Sequence, residues 1–163
     1  MLTKEKIREL KNEGDGALGH LVREHMHINS YLLNILSNLG QLPNNFDGSF
    51  LPELLGSTSS QVRFWTVKNL GKLTNDEYLI LLKQVATSDS DTNVRREAVS
   101  SIGRMRNPKT KKILFDILQD TDPKIVCQAI RGLLFFKGEK EVDEHLKPLI
   151  NHDNEMVRTV IYK

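Results

Sequence analysis

The sequence is poor in cysteine, with Cys127 alone among 163 residues. A single thiol cannot form a disulfide within the chain, which is typical of proteins kept in a reducing compartment. Long hydrophobic runs are also missing, since uncharged apolar stretches such as 78–82 and 132–136 are far too short to span a bilayer. The first six residues, MLTKEK, begin a charged amphipathic helix and lack the apolar core of a signal peptide. We therefore expect a cytoplasmic protein with no membrane association.

Neither sign of charge dominates, because 23 lysines and arginines are balanced by 21 aspartates and glutamates, for a net charge of +2. This balance alone does not require a polyanionic partner. Hydrophobic residues make up 39% and charged residues 27% of the chain, the composition of a folded domain rather than of a disordered one.

What the sequence does contain is a repeat. Four segments each begin with a polar residue that is followed three positions later by a β-branched anchor, and the anchors recur at intervals of 32, 31 and 32 residues. Serine, aspartate and asparagine are favoured helix N-caps, because their side-chain oxygens accept hydrogen bonds from the first turn. The four pairs are Ser59 and Val62, Asp91 and Val94, Asp122 and Ile125, and Asn154 and Val157.

Each anchor begins an apolar stripe with helical spacing, as in Val94, Ala98 and Ile102. Gly71 and Gly103 follow at matching places in the first two units. A second helix is predicted before each of these helices, at 50–55, 78–86, 113–118 and 142–150. A capping box at 74–77 and the pair Asn107-Pro108 indicate two of their starts. No window alternates with period two over a useful length, so we expect no strands.

A helix pair of about 30 residues whose second helix opens with Asp-x-x-Val-Arg, as at 91–95, resembles the HEAT family, particularly its shorter bacterial form. The resemblance covers roughly 49–163, with 17–40 as a degenerate leading pair. It implies an all-α fold, a right-handed α-solenoid of stacked HEAT-like helix pairs. We expect an N-terminal helical cap and degenerate repeat at 1–48, followed by HEAT-like repeats at 49–163.

The last predicted helix, 155–163, covers only part of the repeat pattern. Val157, Val160 and Ile161 face a neighbour, and no further helix covers them. We therefore expect the last repeat to be incomplete and the chain to be the N-terminal segment of a longer protein.

Three features that can carry chemistry are better explained structurally. The segment 14–19, GDGALG, has the letters of a dinucleotide-binding loop, but that loop needs a preceding strand and a helix precedes it here. His20 and Glu24 share a helical face, yet His25 is one residue out of place for an inverted zinc motif and no third ligand is evident. Cys127 lies on a buried type of helix, where a thiol is usually inert. We expect no catalytic residue, cofactor or metal.

Positive charge is concentrated on the second helix of each pair. In HEAT arrays these helices line the concave surface that usually binds the ligand. Arg96, Arg104 and Arg131 have no predicted packing role and are the better candidates for contacting nucleic acid or a protein partner, and Lys68 and Lys124 complete the set. A ladder of positive charge with a period of about 31 residues can follow a phosphate backbone and would make binding salt-dependent.

The arginines that directly follow the anchors have a different predicted role. Arg63, Arg95 and Arg158 match the position of a family arginine that resembles a structural residue, which implies that they pair with turn carboxylates such as Asp89 and Asp120.

Three aromatic residues are predicted to pack rather than to bind a ligand. Trp65 stands three residues after its anchor, which favours core or edge packing over stacking on a base or a peptide ring. Phe135 and Phe136 are predicted to belong to the core between repeats.

Two classes of function stay open. In the first, the chain is similar to the HEAT-type segment that precedes the methylase domain of some bacterial DNA N4/N6 methyltransferases. This similarity implies that it positions DNA or a partner while the chemistry lies beyond residue 163. The Asp/Asn/Ser-Pro-Pro-Tyr/Phe motif of such enzymes does not occur in the chain, so the segment itself is predicted to be non-catalytic. In the second class it is a free-standing protein–protein scaffold, or a subunit similar to the HEAT-like bilin lyases.

Overall fold

The computed structural model describes residues 1–73 and 75–162, and over these residues it contains α-helices and two short 3₁₀ helices but no strand. The 3₁₀ helices span Leu51–Gly56 and Lys147–Asn151. The α-helices are α1 (Lys4–Glu13), α2 (Ala17–Glu24), α3 (Asn29–Ser37), α4 (Ser60–Leu70), α5 (Asp76–Ser88), α6 (Thr92–Arg104), α7 (Thr110–Ile117), α8 (Pro123–Leu134), α9 (Lys140–Leu146) and α10 (Glu155–Val160).

The helices form two layers. Helices α3, α4, α6, α8 and α10 pack one against the next, and we call them the B layer. The A layer supplies one partner for each of four B helices: Leu51–Gly56 packs on α4, α5 on α6, α7 on α8, and Lys147–Asn151 on α10. This stack of helix pairs is the predicted α-solenoid. No helix in the described part of the chain has the length and apolarity needed to cross a membrane.

The B helices α4, α6, α8 and α10 begin with the same two kinds of side-chain hydrogen bond. The predicted N-caps Ser59, Asp91, Asp122 and Asn154 each accept a hydrogen bond from a backbone N–H of the first helical turn. The residue two positions earlier accepts from the N–H of the cap itself, and these residues are Ser57, Asp89, Asp120 and His152. The four anchors that follow are at most 1% exposed. The repeat read from the sequence is thus confirmed at its polar start and at its apolar anchor.

The starts and ends of the A-layer helices differ from the prediction. The first is a 3₁₀ helix rather than an α-helix. Asn107 and Pro108 lie in a turn, where Asn107 Oδ1 accepts from the Lys109 N–H at 2.9 Å, and α7 begins only at Thr110. The segment predicted at 142–150 is divided, because Pro148 has no N–H to continue the α-helix.

Two predicted segments include residues outside the described part of the chain. Of the capping box at 74–77, Thr74 lies outside the described residues, and Asn75 is the N-cap of α5, accepting from the Glu77 N–H at 2.9 Å. The last helix, predicted at 155–163, is described as Glu155–Val160, and Lys163 also lies outside the described residues.

Close backbone approach joins the B helices. Asn69 on α4 donates to Leu36 O on α3 at 3.0 Å, and Ser101 on α6 donates to Val67 O on α4 at 3.3 Å. The equivalent residue of α8 is Gly132, and a Cβ there would lie 2.9 Å from the Cα of Gly103. The side chain at this equivalent position becomes smaller from α4 to α6 to α8, so α6 and α8 meet backbone to backbone.

A buried ion pair links the first two units after the leading pair. Arg63 donates to both carboxylate oxygens of Asp89 at 2.9 and 3.1 Å and to Ser57 O at 2.8 Å. The two paired side chains are only 13% and 8% exposed. This confirms the predicted structural role of Arg63. Arg158 instead donates to backbone carbonyls of its own turn, and Arg95 makes no ion pair with Asp120 in the described residues.

We predict that Gly103→Ala destabilises the fold by about 1–3 kcal/mol, because the new Cβ would press on the backbone of α8 at Gly132 rather than on a side chain that can move. The free energy of unfolding from urea denaturation measures this effect. Gly56→Ala is the matched control, since a Cβ at Gly56 meets nothing within 4 Å. Equal stability of the two variants would contradict the close backbone contact between α6 and α8.

We predict that Asp89→Ala costs about 3–5 kcal/mol, because it leaves the buried guanidinium of Arg63 without its counter-charge. Asp120→Ala removes the same turn hydrogen bond without an ion pair and should cost about 1 kcal/mol. Thermal or urea unfolding of the two variants compares them directly. A similar loss in both would show that the turn, and not the ion pair, carries the stabilisation.

Candidate functional site

A groove of about 600 Å³ crosses the solvent-facing side of the B layer. Its walls come from α3, α4, α6 and α8. We call it the B-layer groove. The four helices that form it are successive members of the same stack, so its direction follows the array.

Two aromatic rings form the apolar wall of the groove. Phe64 and Trp65, neighbours on α4, pack edge to face with ring centroids 5.8 Å apart. Both are partly buried against the core, which agrees with edge packing for Trp65, and both also line the groove. The ammonium group of Lys68 lies 5.2 Å from the Trp65 ring centroid, a cation–π contact that places a positive charge at the rim.

Arg96 supplies a donor without an acceptor. It lines the groove from α6, and its Nε is buried with no hydrogen-bond partner in the described residues. A buried donor left unpaired costs about 1–3 kcal/mol, which a carboxylate or carbonyl oxygen from a ligand would recover. The Nε itself has almost no exposed surface, so an acceptor from a ligand reaches it only after a change in the Arg96 side-chain conformation.

Side-chain amides provide further polar contacts. Gln61 on α4, Asn93 on α6 and Gln128 on α8 all line the groove, and among the described residues their amides form no hydrogen bond within the protein. An amide both donates and accepts, so each of these can bind either the N–H or the C=O of an extended backbone.

The five predicted contact residues do not form one cluster. Arg96 lies in the groove and Lys68 at its rim. Arg104 and Arg131 line a neighbouring depression of about 350 Å³. Lys124 is exposed on the first turn of α8 and lines neither cavity.

Arg104 has a packing role that the sequence did not reveal. It donates to Glu97 Oε1 at 2.8 Å, to Ser100 Oγ at 2.7 Å and to Ser101 Oγ at 2.9 Å. Glu97 also lines the groove, so its negative charge is neutralised from within the same helix. Among the described residues, Arg96 is the groove cation that forms no ion pair.

Lys72, just after α4, lies near three other positive side chains. Loss of water around its ammonium group lowers the pKa of Lys72 below the ordinary value, and repulsion from Lys68, Lys11 and Arg104 adds to that lowering. The ammonium donates to Gly40 O at 2.7 Å. Lysines and arginines of three successive units thus act on one another here.

Several residues of the site were missed from sequence. Phe64, Gln61, Asn93 and Gln128 were not predicted to bind anything, and Phe135, predicted to be in the core, is 54% exposed. A signal was available, because Gln61 and Asn93 occupy the same repeat position 32 residues apart. Comparing outward-facing positions between units would have shown this pair of amides.

Groups that can carry chemistry are sparse in the described part of the chain. No set of three histidine, cysteine or acidic side chains there is placed to hold a metal ion. The Cys127 thiol is buried, and burial raises its pKa above the ordinary value, opposed by Arg131 and reinforced by Asp122. A protonated, enclosed thiol is a poor nucleophile.

The two layers and the stacked B helices define a repeat protein of the α-solenoid class, whose members present extended binding surfaces. Residues 81–163 match the family described as HEAT repeats, and the chain belongs to this family. No curated protein matches it in sequence.

Solved structures share the fold. An engineered protein aligns with a TM-score of 0.58 over 98% of this chain and 87% of its own, at 18% identity. A designed armadillo repeat protein in complex with the peptide (KR)4 aligns with a TM-score of 0.58 over 98% of this chain and 88% of its own, also at 18% identity. A second engineered protein gives 0.59 over 97% of this chain and 52% of its own, at 19% identity.

We predict that Cys127 in the folded protein reacts with iodoacetamide at pH 8 at least about tenfold more slowly than in the unfolded chain, because burial both raises the pKa of the thiol and blocks the approach of the reagent. Intact-mass spectrometry over time, with and without denaturant, measures both rates. Equal rates would contradict the burial of the thiol.

Proposed function

We propose that this protein is a non-catalytic scaffold that binds an extended peptide segment of a partner protein in the B-layer groove. The observation that carries the proposal is the buried, unpartnered Nε of Arg96 beside the rings of Phe64 and Trp65. An apolar wall with one unsatisfied donor suits a segment that offers an apolar side chain close to a carboxylate.

The repeat geometry supports an extended ligand. Packed helices lie about 8–10 Å apart and an extended chain advances about 3.3 Å per residue, so roughly three ligand residues pass each B helix. A segment crossing from α3 to α8 would therefore contain about nine residues. The unpartnered amides of Gln61, Asn93 and Gln128 lie on three successive helices along that path and can bind its backbone.

The charge of the groove favours an acidic residue in the partner. Lys68 and Arg96 present positive charge, while Glu97 is already paired with Arg104. The designed armadillo repeat protein of the same fold is in complex with the peptide (KR)4, and this supports peptide binding by such a fold. For this chain the opposite sign of peptide charge fits.

Positioning of DNA is the second candidate function. The observation in its favour is the exposure of Lys124 and Arg131, which form no ion pair in the described residues. Under this proposal the chain would be the scaffold part of a DNA-modification methyltransferase. The groove favours the peptide instead, because its apolar wall of Phe64 and Trp65 suits a side chain rather than a continuous run of phosphates.

Selection from a display library of random peptides tests the main proposal. We predict enrichment of sequences that place aspartate or glutamate near an aromatic or aliphatic residue. Arg96→Gln should weaken the selected peptides by about tenfold, the loss of one charge-assisted hydrogen bond, as measured by fluorescence anisotropy. Trp65, the only tryptophan, should report binding through its own fluorescence.

Lys83→Gln is the matched control, because it removes the same charge from an exposed position on α5 in the A layer. Equal weakening by both substitutions would show that the loss of affinity comes from the change in net charge and not from a contact of Arg96. A 16-base-pair duplex that binds in a steeply salt-dependent way, together with a library that yields no enrichment, would favour DNA positioning.

A further inference from the structure

A second depression adjoins the groove and is lined by arginine. Arg104, Arg106 and Arg131 surround it, together with Phe135. We call it the arginine pocket. Its lining contains no carboxylate, and its volume is about 350 Å³. Ser100 and Gln128 line both this pocket and the B-layer groove, so the two sites are continuous.

The close backbone contact between α6 and α8 forms the base of the pocket. Gly103 and Gly132 both line it, and these are the glycines at which α6 and α8 approach most closely. The absence of a Cβ at both positions lets the two backbones meet, so the base of the pocket is formed by main chain.

The three guanidinium groups differ in how they are held. Arg104 is fixed by Ser100 and Glu97, which leaves its Nε–H free of a partner in the described residues. Arg106 lies over the Phe135 ring, with its central carbon 5.0 Å from the ring centroid. Arg131 is exposed, and among the described residues it forms neither a hydrogen bond nor an ion pair. Arg106 and Arg131 therefore bring two charges to the pocket that have no ion-pair partner in the described residues, and Arg104, paired with Glu97, adds a third guanidinium with a free Nε–H.

The backbone at Arg106 is unusual. Its φ of 51° is positive, and it is the one residue other than glycine with a positive φ in the described part of the chain. This position follows α6, where glycine or asparagine is normally favoured. An arginine is present instead, and its conformation brings the guanidinium over Phe135, a ring that is itself 54% exposed.

We propose that the arginine pocket binds the phosphate monoester of a phosphorylated side chain on the partner segment. This inference rests on the proposed function, because the segment would occupy the adjoining groove. A phosphate monoester carries close to two negative charges and three acceptor oxygens, which match three guanidinium groups better than the single charge of a carboxylate. A phosphopeptide also fits better than nucleic acid, since the adjoining groove has an apolar wall formed by Phe64 and Trp65.

Phenyl phosphate tests the pocket without the groove. In titrations followed by the arginine Nε–H NMR signals, Arg106 and Arg131 should shift together and saturate. Phenyl phosphate should bind at least about tenfold more tightly than benzoate, because of its second charge. Arg106→Ala and Arg131→Ala should each weaken it by about tenfold. Arg8→Ala, which removes an exposed arginine from α1, should have no effect.

Two random peptide libraries that differ only in a fixed central serine or phosphoserine separate this inference from the proposed function. The protein should retain the phosphoserine library at least about fivefold better, and Arg131→Ala should abolish this preference. Arg96→Gln should weaken retention of both libraries equally. Retention of both libraries without a phosphoserine preference would overturn phosphate binding in the arginine pocket and support peptide binding in the groove. Saturable phenyl phosphate binding without retention of either library would support the arginine pocket and overturn peptide binding in the groove.

Two results would overturn the inference outright. One is a uniform shift of all arginine signals that does not saturate with either anion. The other is displacement of phenyl phosphate by a duplex DNA whose binding depends on Arg106 and Arg131, together with phosphoserine peptides that neither displace phenyl phosphate nor depend on these arginines.

Discussion

The contact on which the architecture depends is the backbone approach between successive B helices. At Gly103 and Gly132 no side chain separates α6 from α8, and at the two preceding interfaces Ser101 and Asn69 each donate to a carbonyl of the preceding helix. Because these contacts set the register between units, the anchors fall into the core and the same outward positions line up from helix to helix. The groove and the arginine pocket are both results of that register.

Much of the fold could be predicted because its determinants are local. An N-cap and an anchor three residues later are read directly from the sequence, and the structure places both as expected at all four repeats. The A-layer boundaries were less predictable. Asn107 and Pro108 suit a turn as well as a helix start, and only packing around Thr110, which is fully buried, decides between them.

The site was harder to predict, because it depends on which side chains meet across helices. The Arg63–Asp89 pair was predicted from the repeat, yet the equivalent Arg95 and Asp120 do not pair in the described residues. Arg104 was predicted to be free for a ligand, but Glu97 lies two turns earlier on the same helix and binds it. Position in a repeat identifies candidates, whereas neighbours decide whether a charge is available.

The single buried Arg63–Asp89 pair also makes the array uneven. It ties α4 to the turn before α6, whereas in the described residues no buried ion pair joins α6 to the turn before α8. In a linear array each interface contributes separately to stability, so unequal interfaces allow partial opening. The units after α6 are therefore expected to exchange their amide hydrogens through local opening events that leave α4 and α6 folded. The part of the solenoid that holds the arginine pocket is then also the part most able to adjust to a ligand.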